Sequence, residues 1–133
     1  MKKLVVSSLL IFSIFSSYSQ EQHAVLFNLS LYVHGGYVDG LRDLNNCTTH
    51  RARVKLYISP RSVSVIGPIT NSWVYAHDIS TIREDNRITE TYEGVDNRQK
   101  NIRVILIRDA VSFSPIILIL EGRGSWYSFK LNK

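Results

Sequence analysis

The chain has 133 residues, a formal net charge of +5 and 44% hydrophobic residues. That is one domain's worth of polypeptide. Its modest, scattered positive charge lacks the basic runs that track a phosphate backbone, which argues against nucleic acid as a main partner. Its single cysteine cannot form an internal disulfide, so the fold must hold by its core.

Residues 1–19 read as a cleavable secretory signal. Lys2 and Lys3 form the basic region, Leu4 to about Phe15 the apolar region, and Ser17 and Ser19 meet the small-x-small rule for cleavage before Gln20. The apolar run is shorter than the roughly 20 residues that span a bilayer. The expected mature domain is therefore 20–133, with a charge lowered to +3 by loss of the two lysines. The expected location is periplasmic or secreted.

The mature chain alternates with period two and shows no helical period, which predicts an all-β fold. In "AVLFNLSLYV" the alternation puts Val25, Phe27, Leu29, Leu31 and Val33 inward, and Asn28, Ser30 and Tyr32 outward. Residues 34–50, rich in glycine and Asx, read as a long irregular loop with one short helical turn at Leu41 to Leu44. Long loops often carry function, so His34, Cys47 and His50 form the first candidate site. Cys47 and His50 have the spacing of half a zinc knuckle, but tetrahedral zinc wants a further ligand pair that the sequence lacks. No metal or other cofactor is expected, and Cys47 is expected to be buried and inert.

"RARVKLYIS" puts Ala52, Val54, Leu56 and Ile58 inward with Arg51, Arg53 and Lys55 outward. A turn at Ser59–Ser62 and the strand "VSVI" follow, and Gly67-Pro68 breaks that strand. "SWVYAHDI" places Trp73, Tyr75 and His77 on one face. "ISTIRE" and "RITETYEG" form a hairpin about Asp85-Asn86, and "VDNRQKN" is a polar loop. "IRVILIRD" and "PIILILE" pair next, and "SWYSFKL" closes the chain, with Tyr127 and Phe129 inward. The continuous apolar runs "VILI" and "IILIL" suggest burial on both faces.

Together these predict a single-domain antiparallel meander of about eight short strands, a small barrel or a sandwich. No nucleophile elbow, His-Glu-x-x-His pair or phosphate-cradling loop is present, and "GRGSW" only approaches Gly-x-Ser-x-Gly. The expected function is non-catalytic binding of a small apolar ligand or a protein partner, by a monomer. Aromatic rings close apolar pockets and stack on sugars, so Trp73, Tyr75 and Trp126 are the candidate ligand contacts. An inhibitor or envelope-stress protein acting through one protein contact is the alternative, and a small hydrolase without recognisable motif is third. A membrane-embedded barrel fits poorly, because its strands need about 9–11 residues and Arg103 shares a face with Ile105 and Ile107.

Overall fold

A computed structural model describes residues 25–60, 62–67 and 71–131, with side chains undescribed at 71–79. Residues 1–19, expected to form a signal segment, lie outside these residues. The described chain is all-β, with eight antiparallel strands in one sheet and no helix: β1 (Val25–Val38), β2 (Leu41–Ile58), β3 (Ser62–Ile66), β4 (Asn71–Arg83), β5 (Arg87–Asp96), β6 (Asn101–Asp109), β7 (Pro115–Glu121) and β8 (Trp126–Lys130). Each strand pairs with its sequence neighbour, and β8 also pairs with β1 through Val33–Ser128, His34–Tyr127 and Gly35–Trp126.

The core is made by period-two alternation. Val54, Leu56 and Ile58 on β2, Val63 and Val65 on β3, Ile102, Val104 and Leu106 on β6, Leu118 and Leu120 on β7 and Phe129 on β8 share the inner face and are buried. Arg51, Arg53 and Lys55 alternate with the β2 set and are exposed. On β6 and β7 the outer face is apolar too. Ile105 sits opposite Ile119 and Ile107 opposite Ile117, and Ile119 is buried while the other three are half-buried. These strands are therefore shielded on both sides to unequal degrees.

Two expectations for β1 are corrected. A register shift between Leu29 and Leu31 changes the phase of the strand. Phe27 and Leu29 pack on the core before it, and Tyr32 is in the core after it, so Tyr32 points inward rather than out. Such an irregularity cannot be read from alternation, because a one-residue slip exchanges the two faces.

The second correction concerns residues 34–50, which are strand rather than loop, with no helical turn at Leu41. β1 and β2 continue to Val38 and Leu41, joined by the two-residue turn Asp39-Gly40. Both turn residues have positive φ, 54° and 79°, the type I′ geometry whose twist matches flanking strands and which Asp-Gly favours. The helix-like polar cluster has a different use. Residues 43–46 bulge opposite Gly36 alone, and the Asp43 carboxylate accepts the Asn45 and Asn46 N–H groups at 3.1 and 3.2 Å. The strands are accordingly longer than expected, 14 residues in β1, 18 in β2, 13 in β4 and 10 in β5, so strand length does not argue against a membrane-embedded barrel.

This hairpin is fastened by Trp126. The indole is 1% exposed although it lies on the outer face, opposite Gly35. It donates its Nε1–H to the Gly36 carbonyl at 2.6 Å, and the Arg42 guanidinium lies 5.9 Å from its ring centroid, within cation–π range. The close approach needs glycine at 35. A Cβ there would stand 2.6 Å from Trp126 Cζ2 and 3.0 Å from the Cys47 Cβ, whereas one at Gly36 meets nothing within 4 Å.

That difference predicts the outcome of a paired substitution. Gly35→Ala should destabilise by about 1–3 kcal/mol, as forced overpacking does. Gly36→Ala should stay within about 0.5 kcal/mol of the parent, as substitutions away from contacts do. Urea denaturation of the two variants checks this.

Candidate functional site

The sequence candidates divide between the two faces. His34 and His50 sit on the inner face with Tyr32 and Ala52. Cys47 sits opposite Gly35, on the side of Trp126. A spacing of three along a strand reverses the side-chain direction, so Cys47 and His50 cannot form half of a zinc knuckle here. Among the described residues no group of three His, Cys, Asp or Glu side chains could hold a metal ion. Cys47 is also exposed rather than buried, its thiol 3.5 Å from the Leu44 carbonyl oxygen.

The two histidines are brought together in a four-ring cluster. His34 stacks on Tyr127 with centroids 4.6 Å apart, and His50 stacks on Tyr32 at 4.9 Å. The imidazoles are 6.0 Å from each other and the tyrosines 6.2 Å. These rings end the core at the edge of the sheet where the β1–β2, β5–β6 and β7–β8 turns lie.

Trp126 fastens backbone and is closed to solvent, so it is not available as a ligand contact. Trp73 and Tyr75 lie in β4 opposite Asp96 and Gly94, and a register shift then separates Tyr75 from His77. The side chains of Trp73 and Tyr75 fall outside the described residues.

Two depressions flank the β5–β6 and β7–β8 turns. The larger, of about 900 Å³, runs along the outer face between the β1–β2 hairpin and β6, lined by Tyr37, Gly40, Glu93, Arg103 and Glu121. The smaller, of about 280 Å³, is lined by Asp96, Arg98, Ser125 and Tyr127. Both share Lys100, Asn101, Ile102, Gly122 and Arg123.

Both turns are braced. In the β5–β6 turn Asp96 Oδ1 accepts the backbone N–H groups of Arg98 and Lys100 at 2.8 and 2.9 Å. In the β7–β8 turn the Gly122 N–H donates to Ser125 O at 2.9 Å. The Tyr37 hydroxyl is 2.7 Å from the Gly122 carbonyl and 3.2 Å from that of Ser125. Glu121 sits between two guanidiniums, 3.0 Å from Arg42 and 3.7 Å from Arg103. The hairpin, β6, β7 and the last turn are thus tied at one end of the sheet.

Sequence reasoning missed Tyr37, Glu121 and the basic residues of the two turns. The Asp39-Gly40 dipeptide was the readable signal for the first, since it implies a hairpin that carries Tyr37 past the core. The others depend on which turns share an end of the sheet, a property of topology. Comparison with protein families, with curated proteins and with solved structures finds no match for this chain.

Burial holds the Tyr37 hydroxyl above the ordinary tyrosine range. The Glu121 carboxylate adds to the effect, and Arg42 and Arg103 oppose it. A raised folded-state value means this contribution is complete below the ordinary value of about 10 and is lost as pH rises through the folded one. The parent should therefore lose stability above about pH 10 relative to Tyr37→Phe, which lacks the titrating group. Near neutral pH the same substitution should cost about 1–2 kcal/mol through the lost hydrogen bonds. Urea denaturation across pH checks both. Cys47 should react with a thiol reagent in native buffer as fast as in urea, to within about tenfold, where a buried thiol would be protected.

Proposed function

We propose that the mature chain is an exported, non-catalytic binding module, a small β-barrel that takes its ligand at the end bearing the β5–β6 and β7–β8 turns. One observation carries this: two depressions flank the same pair of turns, and both turns are held in shape by side chains. Concave, largely pre-formed surfaces with a few convergent polar groups are where small ligands bind.

Other observations support the parts of the reading. The return of β8 to β1 favours a barrel over a sandwich. Export rests on the Lys2-Lys3, apolar and Ser17-x-Ser19 pattern of the first nineteen residues. The exposed Arg51, Arg53 and Lys55 on the outer face suit water, not lipid, and so favour a domain that is not embedded in a membrane. An end site is favoured over the apolar interior because Leu56, Val63, Leu118 and Phe129 fill the middle of the inner face at 0% exposure.

A second reading, one protein–protein contact of the kind an inhibitor makes, is favoured by the tip of the β1–β2 hairpin. Val38, Leu41 and Leu44 there are 53%, 73% and 66% exposed, and apolar side chains clustered in the open often mark contact sites.

Native mass spectrometry of the protein purified from its own host separates the two. The binding-module reading expects a small co-purifying species, released by denaturation. A bare protein mass overturns it. One stoichiometric partner from envelope extract, lost on the double substitution Leu41→Glu and Leu44→Glu, would establish the second.

A further inference from the structure

Resting on the end-site reading, we propose that the smaller depression binds a ring-bearing organic anion, its ring against Tyr127 and its acidic group among Arg98, Lys100 and Arg123.

The charge balance of the depression points to an anion. Three of its lining residues are cationic and one, Asp96, is acidic. The Asp96 carboxylate is already engaged, with Oδ1 accepting two backbone N–H groups of its own turn. The ion pairs found among the described residues use Arg42, Arg103 and Arg108, and none uses Arg98, Lys100 or Arg123. On the outer face the balance is different, because Glu121 is shared by two guanidiniums. Lys100 and Arg123 border both depressions, and Arg98 adds a third cation without an ion pair on the side of the turns that carries Tyr127. Clefts lined by one sign of charge concentrate the oppositely charged ligand.

Placement and chemistry agree. Arg98 and Lys100 come from a turn fixed by Asp96, and Arg123 from a turn held by the Tyr37 hydroxyl. The backbone positions of all three are therefore set before a ligand arrives, which lowers the ordering cost of binding. Tyr127 is half-buried, with His34 stacked on it at 4.6 Å and an interplanar angle of 16°. Tyr127 lines the depression, and its contacts with His34 and Tyr32 fix the ring's orientation there. Guanidinium groups match carboxylate, sulfate and phosphate oxygens in a bidentate fork, and Lys100 adds a point charge. A volume of about 280 Å³ is on the scale of a mono- or bicyclic compound.

Amide chemical-shift titration of the full mature chain tests this. The probes are 1-naphthalenesulfonate, D-glucuronate and the neutral 1-naphthalenemethanol. At least one anion should give saturable shifts at Lys100, Ser125 and Tyr127. Whichever saturates first identifies the ring as aromatic or sugar. The sulfonate should bind at least about tenfold more tightly than the neutral alcohol, and raising salt from about 20 to about 500 mM should weaken it severalfold, as screening demands. Replacing Arg98, Lys100 and Arg123 together by Gln should weaken it about tenfold, and these exposed positions leave the fold intact. Should that variant fail to fold, the salt series in the parent carries the same decision. Equal binding of the neutral alcohol, or no salt dependence, overturns the anion assignment and leaves the end site standing. Absence of shifts at these amides with every probe overturns both.

Discussion

The contact on which the rest of this structure depends is the Trp126 indole against Gly35 and Gly36. β8 joins β1 through only three residue pairs, too short a ladder to define a seam alone. The indole adds a charge-free hydrogen bond to the Gly36 carbonyl, a packing surface that only glycine at 35 permits, and a face for Arg42. Aromatic burial of this kind is worth about 3–5 kcal/mol when removed from a packed site. Among the described residues Trp126 has the largest side chain of those almost closed to solvent, and it lies on the outer face of the sheet.

Its position has consequences for everything at that end. With Trp126 seated, the β1–β2 hairpin lies where Tyr37 reaches the β7–β8 turn and Arg42 reaches Glu121. That turn presents Arg123 beside the β5–β6 turn. The outer groove and the smaller depression are both defined by these placements. At the opposite end the ties join the β4–β5 and β6–β7 turns. Arg108 pairs with Glu90 at 3.0 Å and donates to the Phe113 carbonyl, while Arg83 reaches the Ala110 carbonyl.

Much of the fold was legible because alternation is a local property. The lower part of β2 and β8 carry period-two patterns whose inner residues follow from sequence, whereas the continuous apolar runs of β6 and β7 signal burial without saying which side faces in. The inward orientation of Tyr127 and Phe129 was readable the same way. What failed was phase and continuity. The shift near Ser30 turns Tyr32 inward, and no alternation count registers a slipped residue. The 34–50 segment hid a hairpin because Gly35, Gly36 and the 43–46 bulge interrupt the pattern that marks a strand. Those interruptions are the features that let Trp126 and Tyr37 dock. His34 and His50 were identified as worth attention, but as residues of a loop shared with Cys47, whereas they stand on paired strands with Cys47 on the other face. The candidate site itself assembles from turns far apart in the chain, Tyr37 and Gly122 being 85 positions apart, and composition alone does not say which turns share an end.

The seated indole is the contact that decides how this end of the sheet is built. Hydrogen–deuterium exchange of the Trp126 Nε1 proton, followed by NMR, reads it directly. The structure predicts one indole N–H protected to the same degree as the His34 and Tyr127 amides of the β1–β8 seam, exchanging with them as one unit. An indole N–H that exchanges at the rate of a solvent-exposed tryptophan while the rest of the sheet stays protected would contradict it.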